Sequence, residues 1–206
     1  MTELEAINTL LSVIGEAPID SLSDVTVNEI TDSALARRTL HEVSRDVQAE
    51  GFSWNTDRGV KFIRDSTNQI KIPKSALKVA FSSARYGDLQ YVVRGLRVYD
   101  RNRQSYDMTN TEQVIADEVV TQLEWEDLPH PAQQYIVIRS ARIYSDRFVN
   151  SNAIYVYTTA DEQYARSMLI RSEERDGGDN MLYGNPVGAS YGIGYMPTAG
   201  LRNRRN

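Results

Sequence analysis

The spacing of apolar residues changes character along this chain, and each change marks a different kind of element. Leu4, Ile7, Leu11 and Ile14 recur at helical intervals near the start. Thr2 and Glu5 precede them as a T-x-x-E capping box, in which each side chain satisfies an otherwise orphan backbone N–H. Gly15 supplies a left-handed stop, and Pro18 prevents the helix from continuing. A second amphipathic stretch is predicted from about Asn28 to Glu50. It puts Ala36, Leu40, Val43 and Val47 on one stripe and Arg37, Arg38, Arg45 and Asp46 on the other face, with Gly51 ending it. The short polar loop between the two predicts an antiparallel helix hairpin.

From Phe52 to about Trp125 the period shortens. Val60–Ile63, Gln69–Ile72, Ala76–Ser82, Leu89–Val93, Leu96–Tyr99 and Val119–Trp125 are short runs rich in β-branched and aromatic residues, which favour strands. Turn-formers separate them at Asp57-Arg58-Gly59, Tyr86-Gly87-Asp88 and Asn102, and Arg94-Gly95 reads as a tight hairpin. Helical spacing returns near Pro129. Over residues 131–148 two apolar rows, Ala132/Ile136/Ile143 and Val137/Ala141/Tyr144/Phe148, predict a helix buried on more than one side. A fourth helix is predicted over about Tyr155–Arg175, with Tyr157, Tyr164 and Met168 on one side. The last stretch has neither period, and no internal repeat of 20–50 residues occurs. The pattern thus predicts an α+β protein: a bundle of about four helices from residues 1–51 and 128–176, an inserted small antiparallel β-domain at 52–127, and an extended tail at 177–206.

Composition narrows the chemistry. The chain has 206 residues, enough to bury a core that hides roughly 70% of its unfolded surface without disulfides. It has no cysteine and only His41 and His130, which excludes thiolate zinc sites, cysteine nucleophiles and a three-histidine zinc centre within one chain. No apolar run reaches the roughly 18 residues of a membrane span, and the acidic start MTELEAINTL lacks the bases of an export signal. The net charge of −5 is unevenly spread. Residues 1–36 hold seven acids and no Lys or Arg, residues 37–176 balance 20 against 20, and the tail holds Asp179 against Arg202, Arg204 and Arg205. Seven of the 12 glycines also follow Asp176.

No residue constellation points to catalysis. GIGYMP lacks the lysine of a phosphate loop and follows no strand. Glu124/Glu126/Asp127, Asp161/Glu162 and Glu173/Glu174 are carboxylate neighbours, but a glycosidase sets its pair about 5–10 Å apart across a cleft, so solvated faces or interface charges are the better reading. His41 falls on an arginine-bearing helix face, and His130 in a helix-leading turn between Pro129 and Pro131. Neither the GxSxG elbow nor HExxH occurs. No metal or cofactor is expected, and the chain reads as a non-enzyme. Of the 23 bases 19 are arginine, and Arg97, Arg101 and Arg103 cluster beside Tyr99 and Tyr106, yet a pI near 5.2 is far from that of a sequence-specific DNA binder. A solvated or subunit-facing strand edge is favoured there. Eight of the 12 tyrosines follow His130, and Tyr183, Tyr191 and Tyr195 lie in the unpatterned tail with Arg202, Arg204 and Arg205. Tyrosine and arginine together are the composition of protein–protein anchors, so these six residues are candidate partner contacts.

Three blocks carry a family resemblance: AINTLLSVIGEAPIDSL, ALARRTLHEVSRDVQAEGFSWNTDRG and EWEDLPHPAQQYIVIRSARIYSDRFV. In this order they resemble the tail tubular protein A family, the head-to-tail adaptors of short-tailed (podovirus) bacteriophages. Phe52, with Trp54 two residues on, stands at the position where relatives often carry a tryptophan directly after the glycine. The resemblance implies a structural virion protein of the tail, assembled in the host cytoplasm. Its implied partners are copies of itself in a twelve-fold ring, the portal protein, and a hexameric nozzle of tail tubular protein B. DNA would leave through the lumen without sequence-specific binding, and no membrane is involved. The alternatives are a carboxylate-based glycan hydrolase acting in the tail and a DNA-binding regulator. Within the ring, the acidic head could line the lumen and keep DNA from sticking, or could pair with a neighbour's Arg37 and Arg38. The second is slightly preferred, which makes Glu3, Glu5, Asp20, Arg37 and Arg38 candidate inter-subunit contacts.

Overall fold

A computed structural model describes residues 1–24, 31–86, 90–148 and 158–176. Helix α1 (Glu3–Val13) begins with the expected capping box: the Thr2 hydroxyl accepts from the Glu5 N–H, and the Thr2 N–H donates to the Glu5 carboxylate. It ends in a Schellman motif. Gly15 adopts φ +81° and donates to Ser12, while the Glu16 N–H reaches back to the Leu11 carbonyl. Helix α2 (Asp32–Gln48) starts later than the spacing predicts, because the Thr31 hydroxyl caps it by accepting from the Ala34 N–H. Helix α4 (His130–Phe148), numbered after the short helical turn α3 (Ser83–Tyr86), packs against α1, α2 and the last helix, α5 (Thr159–Asp176).

The α4 surface explains its central place. Ala132, Tyr135, Ile136, Val137, Ala141 and Tyr144 are all buried, so the helix is covered on several sides. They join Ile7, Leu10, Leu11, Ala36, Leu40, Val47, Phe52 and Trp125 in one hydrophobic cluster. Burial raises the Tyr144 hydroxyl's pKa well above its ordinary value, helped by the charges of Asp32 and Glu16, and that hydroxyl donates to the Asp32 carbonyl at 2.9 Å. α5 adds only Ala165 and Leu169 to the cluster. Polar contacts hold the rest of it. The Arg166 guanidinium straddles the Glu50 carboxylate at 2.9 and 3.2 Å, Glu162 accepts from Arg142 at 2.5 Å, and Glu173 accepts from the Ser53 N–H.

Between α2 and α4 lies an antiparallel sheet ordered β1-β5-β2, built from β1 (Thr56–Ile63), β2 (Ala76–Ala80) and β5 (Gln113–Thr121). A separate hairpin pairs β3 (Tyr91–Arg94) with β4 (Arg97–Asp100). Its two turn residues, Gly95 at φ +56° and Leu96 at φ +59°, are both left-handed, as a type I′ hairpin requires. A second hydrophobic cluster, including Phe62, Ile70, Ile72, Phe81, Tyr91, Val98, Met108 and Val114, fills this region.

Several strand expectations are corrected. Asp57-Arg58-Gly59 lies inside β1 rather than in a turn, with Gly59 at φ +68° between the pairs Arg58↔Glu118 and Val60↔Ala116. Gln69–Ile72 makes isolated bridges only, although Ile70 and Ile72 are buried. The final run begins its ladder earlier and ends it at Thr121, not Trp125. The tail at 177–206 and the predicted start of the fourth helix at Tyr155 lie outside the described residues.

Helices and sheet meet at one polar junction. The Gln48 side chain, fully buried at the end of α2, accepts from the Leu123 N–H at 2.7 Å and donates to the Leu123 carbonyl at 3.2 Å. The Asn55 amide donates to the Gln48 and Thr121 carbonyls at 2.9 and 3.1 Å. Gly51, at φ +83°, lets β5 approach: a Cβ there would stand 3.0 Å from a Val120 methyl.

Candidate assembly surfaces

The charges singled out in the acidic head meet partners within the chain. The Glu3 carboxylate accepts from Arg37 at 2.8 Å and pairs with His41 at 2.8 Å, joining α1 to α2. Burial alone would raise its pKa, but the hydrogen bonds of His41 and Arg37 and the Arg37 charge outweigh that and hold it below the ordinary value. Glu5 is exposed and serves the α1 cap. Arg38 hydrogen-bonds Glu42 four residues on, and that bond is the main cause of Glu42's lowered pKa. Asp20 is exposed beside the bond between Asn8 and the Ile19 backbone. The tail candidates Tyr183, Tyr191, Tyr195, Arg202, Arg204 and Arg205 lie outside the described residues, as does GIGYMP.

The carboxylate neighbours have structural or solvent-facing places. Asp161 caps α5 by accepting from the Thr158 N–H and hydroxyl, which lowers its pKa, and Glu162 binds the α4 arginines Arg139 and Arg142. Glu124, Glu126 and Asp127 are exposed around the buried Trp125. His130 is exposed at the first position of α4. Among the described residues no group of three or more His, Asp or Glu is placed to hold a metal ion, and no helix is long and apolar enough to cross a membrane.

Two surfaces are built of the residue types that anchor protein contacts. On α5, Tyr164 is 67% exposed, with Met168 and Ile170 at 40% and 41%. The side carrying Tyr164 and Met168 therefore points outward while Ala165 and Leu169 face α4, because the ion pairs to Glu50 and Arg142 let α5 dock with little apolar surface. At the β3–β4 hairpin, three of the five residues expected to cluster, Arg97, Tyr99 and Tyr106, join a layered stack, while Arg101 and Arg103 are exposed and take no part in it. Tyr99 and Tyr106 meet edge to face at 5.0 Å, Arg94 lies 4.0 Å over the Tyr99 ring, and Arg97 lies 4.3 Å over Tyr106. Arg94 was not part of the expected cluster. Only the register, which sets it directly opposite Arg97, brings it there.

Asp161 and Glu162 are committed to a cap and to ion pairs, while the outward side of α5 and the arginine–tyrosine stack carry the residue types that anchor protein contacts. The family model for tail tubular proteins matches residues 4–179, and the chain belongs to the tail tubular protein family. It is thereby a structural component of a virion tail. No curated protein matches the chain.

Proposed function

We propose that this protein is the head-to-tail adaptor of a podovirus: a ring, a dodecamer by resemblance, seated between the portal and a hexameric nozzle, through which the genome leaves. Portal docking is assigned to the tail residues Tyr183, Tyr191, Tyr195, Arg202, Arg204 and Arg205. The observation that carries the reading is the outward side of α5, where Tyr164 and Met168 stand exposed four residues apart on a helix held from behind by ion pairs. A single subunit gains nothing from that arrangement, whereas side-by-side copies would bury it. Glu3 is committed to Arg37 and His41, so the exposed Asp20, and Arg38, which is exposed and held by its bond to Glu42, are the members of the candidate charge set best placed to meet a neighbour. The lumen reading of the acidic head needs no such pairing and is carried by the exposed Glu5, Glu16 and Asp20.

Negative-stain imaging of the protein mixed with its portal tests this. Rings stacked on the portal are expected, and Tyr164→Glu with Met168→Glu should yield folded subunits that no longer join them. Absence of any association, or salt-sensitive affinity for duplex DNA in its place, would refute the adaptor reading. Turnover of a glycan lost on changing one carboxylate pair would favour a hydrolase.

A further inference from the structure

We infer that the tip of the β3–β4 hairpin is a docking point for a second copy of this chain, which offers it the acidic corner at Glu124, Glu126 and Asp127. This rests on the ring reading and deepens it by naming a contact.

The hairpin tip is built against its own stability. Arg94 and Arg97 are directly opposite in the antiparallel register, so their side chains share one sheet face with Val92 and Tyr99. Like charges in that relation repel. Among the described residues no carboxylate lies within 4 Å of the charged nitrogens of Arg94, Arg97, Arg101 or Arg103, so none of them pairs directly with the cluster, and only the charge of Asp107 is felt at Arg103. Between the two arginines Leu96 holds φ +59° and is exposed. An L-residue with a side chain this large in the left-handed region costs about 1 kcal/mol or more, where asparagine or glycine would serve the turn at less. Strain, like-charge repulsion and an exposed leucine therefore coincide at one tip.

The tip is also rigid. The Leu96 carbonyl accepts from the Ile72 N–H at 2.9 Å, and the Val98 N–H donates to the Ile70 carbonyl at 2.9 Å. The Arg94 and Arg97 guanidiniums sit over Tyr99 and Tyr106, and one Arg97 N–H donates to the Gln69 side-chain carbonyl at 3.2 Å, which holds that guanidinium in place and leaves its other N–H groups for a partner. Fixed, planar donors suit carboxylates, which guanidinium binds in bidentate fashion. The ring faces beneath the guanidiniums are occupied and unavailable for stacking on bases, which sets the site apart from single-strand nucleic-acid platforms.

The matching anion is on the same chain. Glu124, Glu126 and Asp127 are exposed within four residues, and none lies within 4 Å of a cationic nitrogen among the described residues. They are held firmly as well. Trp125 between them is buried, its indole N–H donates to the Met1 carbonyl at 3.0 Å, and its own carbonyl accepts from the Gln133 amide at 2.9 Å. One cationic and one anionic patch at different places on a single chain define a heterologous contact, the kind that propagates from copy to copy and closes into a ring. An exposed leucine at the centre of the cationic patch adds an apolar anchor to the charge match.

Sedimentation velocity of the full chain, alone and with portal, tests this by charge reversal. Arg94→Glu with Arg97→Glu should raise the concentration for half-assembly at least ten-fold, and so should Glu124→Arg with Glu126→Arg. All four changes in one chain should restore assembly to within about three-fold of the parent. Because the stacked pair contributes to the hairpin, Arg101→Glu with Arg103→Glu serves as a second variant that leaves the stack in place, and circular dichroism confirms folding of each. Normal assembly of both arginine variants overturns the inference while leaving the ring intact. Loss without rescue by the four-fold variant also overturns it, pointing to a different acidic partner. Normal assembly with loss of salt-sensitive binding to a short duplex would make the tip a nucleic-acid contact instead. A parent chain that stays monomeric even with portal removes the ring reading itself.

Discussion

The Gln48 junction offers the sharpest test of how helices and sheet depend on each other. Gln48→Leu keeps the side-chain volume roughly constant and removes the amide. The variant leaves the Leu123 N–H and carbonyl without the partners they have at 2.7 and 3.2 Å, and takes a third bond from Ser44. An orphaned buried backbone group costs about 1–3 kcal/mol. Leu123 is only half-buried, so the lower part of that range applies to each group, and the sum is about 3 kcal/mol. In a chain of this size each kcal/mol moves the melting temperature by about 2–4 °C, which predicts a drop of about 6–12 °C. Thermal unfolding followed by circular dichroism reads it directly, with Gln134→Leu on the exposed side of α4 as a control expected to shift little. Hydrogen exchange should show faster opening at Leu123 and along β5 than in α1. A shift under about 3 °C, or exchange unchanged at Leu123, would refute the claim that this amide fastens the two regions.

Other consequences follow from the same geometry. Glu3→Gln should lose about 1 kcal/mol at neutral pH, since its ion-pair partners are partly exposed. The folded-state pKa of Glu3 is lowered, so its contribution is present above the unfolded value of about 4.3 and disappears as pH falls through the lowered one. Urea unfolding at neutral and acidic pH should therefore show the gap between parent and variant closing in acid, and a constant gap would count against the Glu3 network. Gly51→Ala forces a side chain into left-handed backbone beside Val120 and should cost about 1–2 kcal/mol by chemical denaturation, whereas a neutral outcome would mean β5 can retreat. Deleting everything after Asp176 should leave a folded protein that no longer docks stably on the portal. Unfolding of that truncated chain would assign the tail to the core.

The helices were legible because their ends carry local chemistry. Thr2, Glu5 and Gly15 define α1 with contacts that span at most five residues. The sheet was less legible for the opposite reason. Asp57-Arg58-Gly59 has the composition of a turn, yet pairing with β5 keeps it extended, and Gly59 is needed for a kink inside the strand rather than a reversal. Ile70 and Ile72 alternate as strand residues do, but their segment is held by the hairpin and makes no continuous ladder. The assembly surfaces depended on tertiary placement. Nothing in the spacing of Glu3 and Arg37 says that they meet in one chain, and the Tyr164/Met168 row reads equally well as a buried or an exposed stripe until Ala165 and Leu169 are seen to face α4.

The polar junction also bears on how such a protein can change over time. The chain leaves the helices at Gln48 and returns at Leu123, and those two residues are hydrogen-bonded to each other. Everything between them enters and exits through one doorway. A segment attached in this way can lengthen, shrink or be exchanged for another without moving the helices, provided the doorway survives. Relatives that face different tail parts would then differ most between these two positions and least on either side of them.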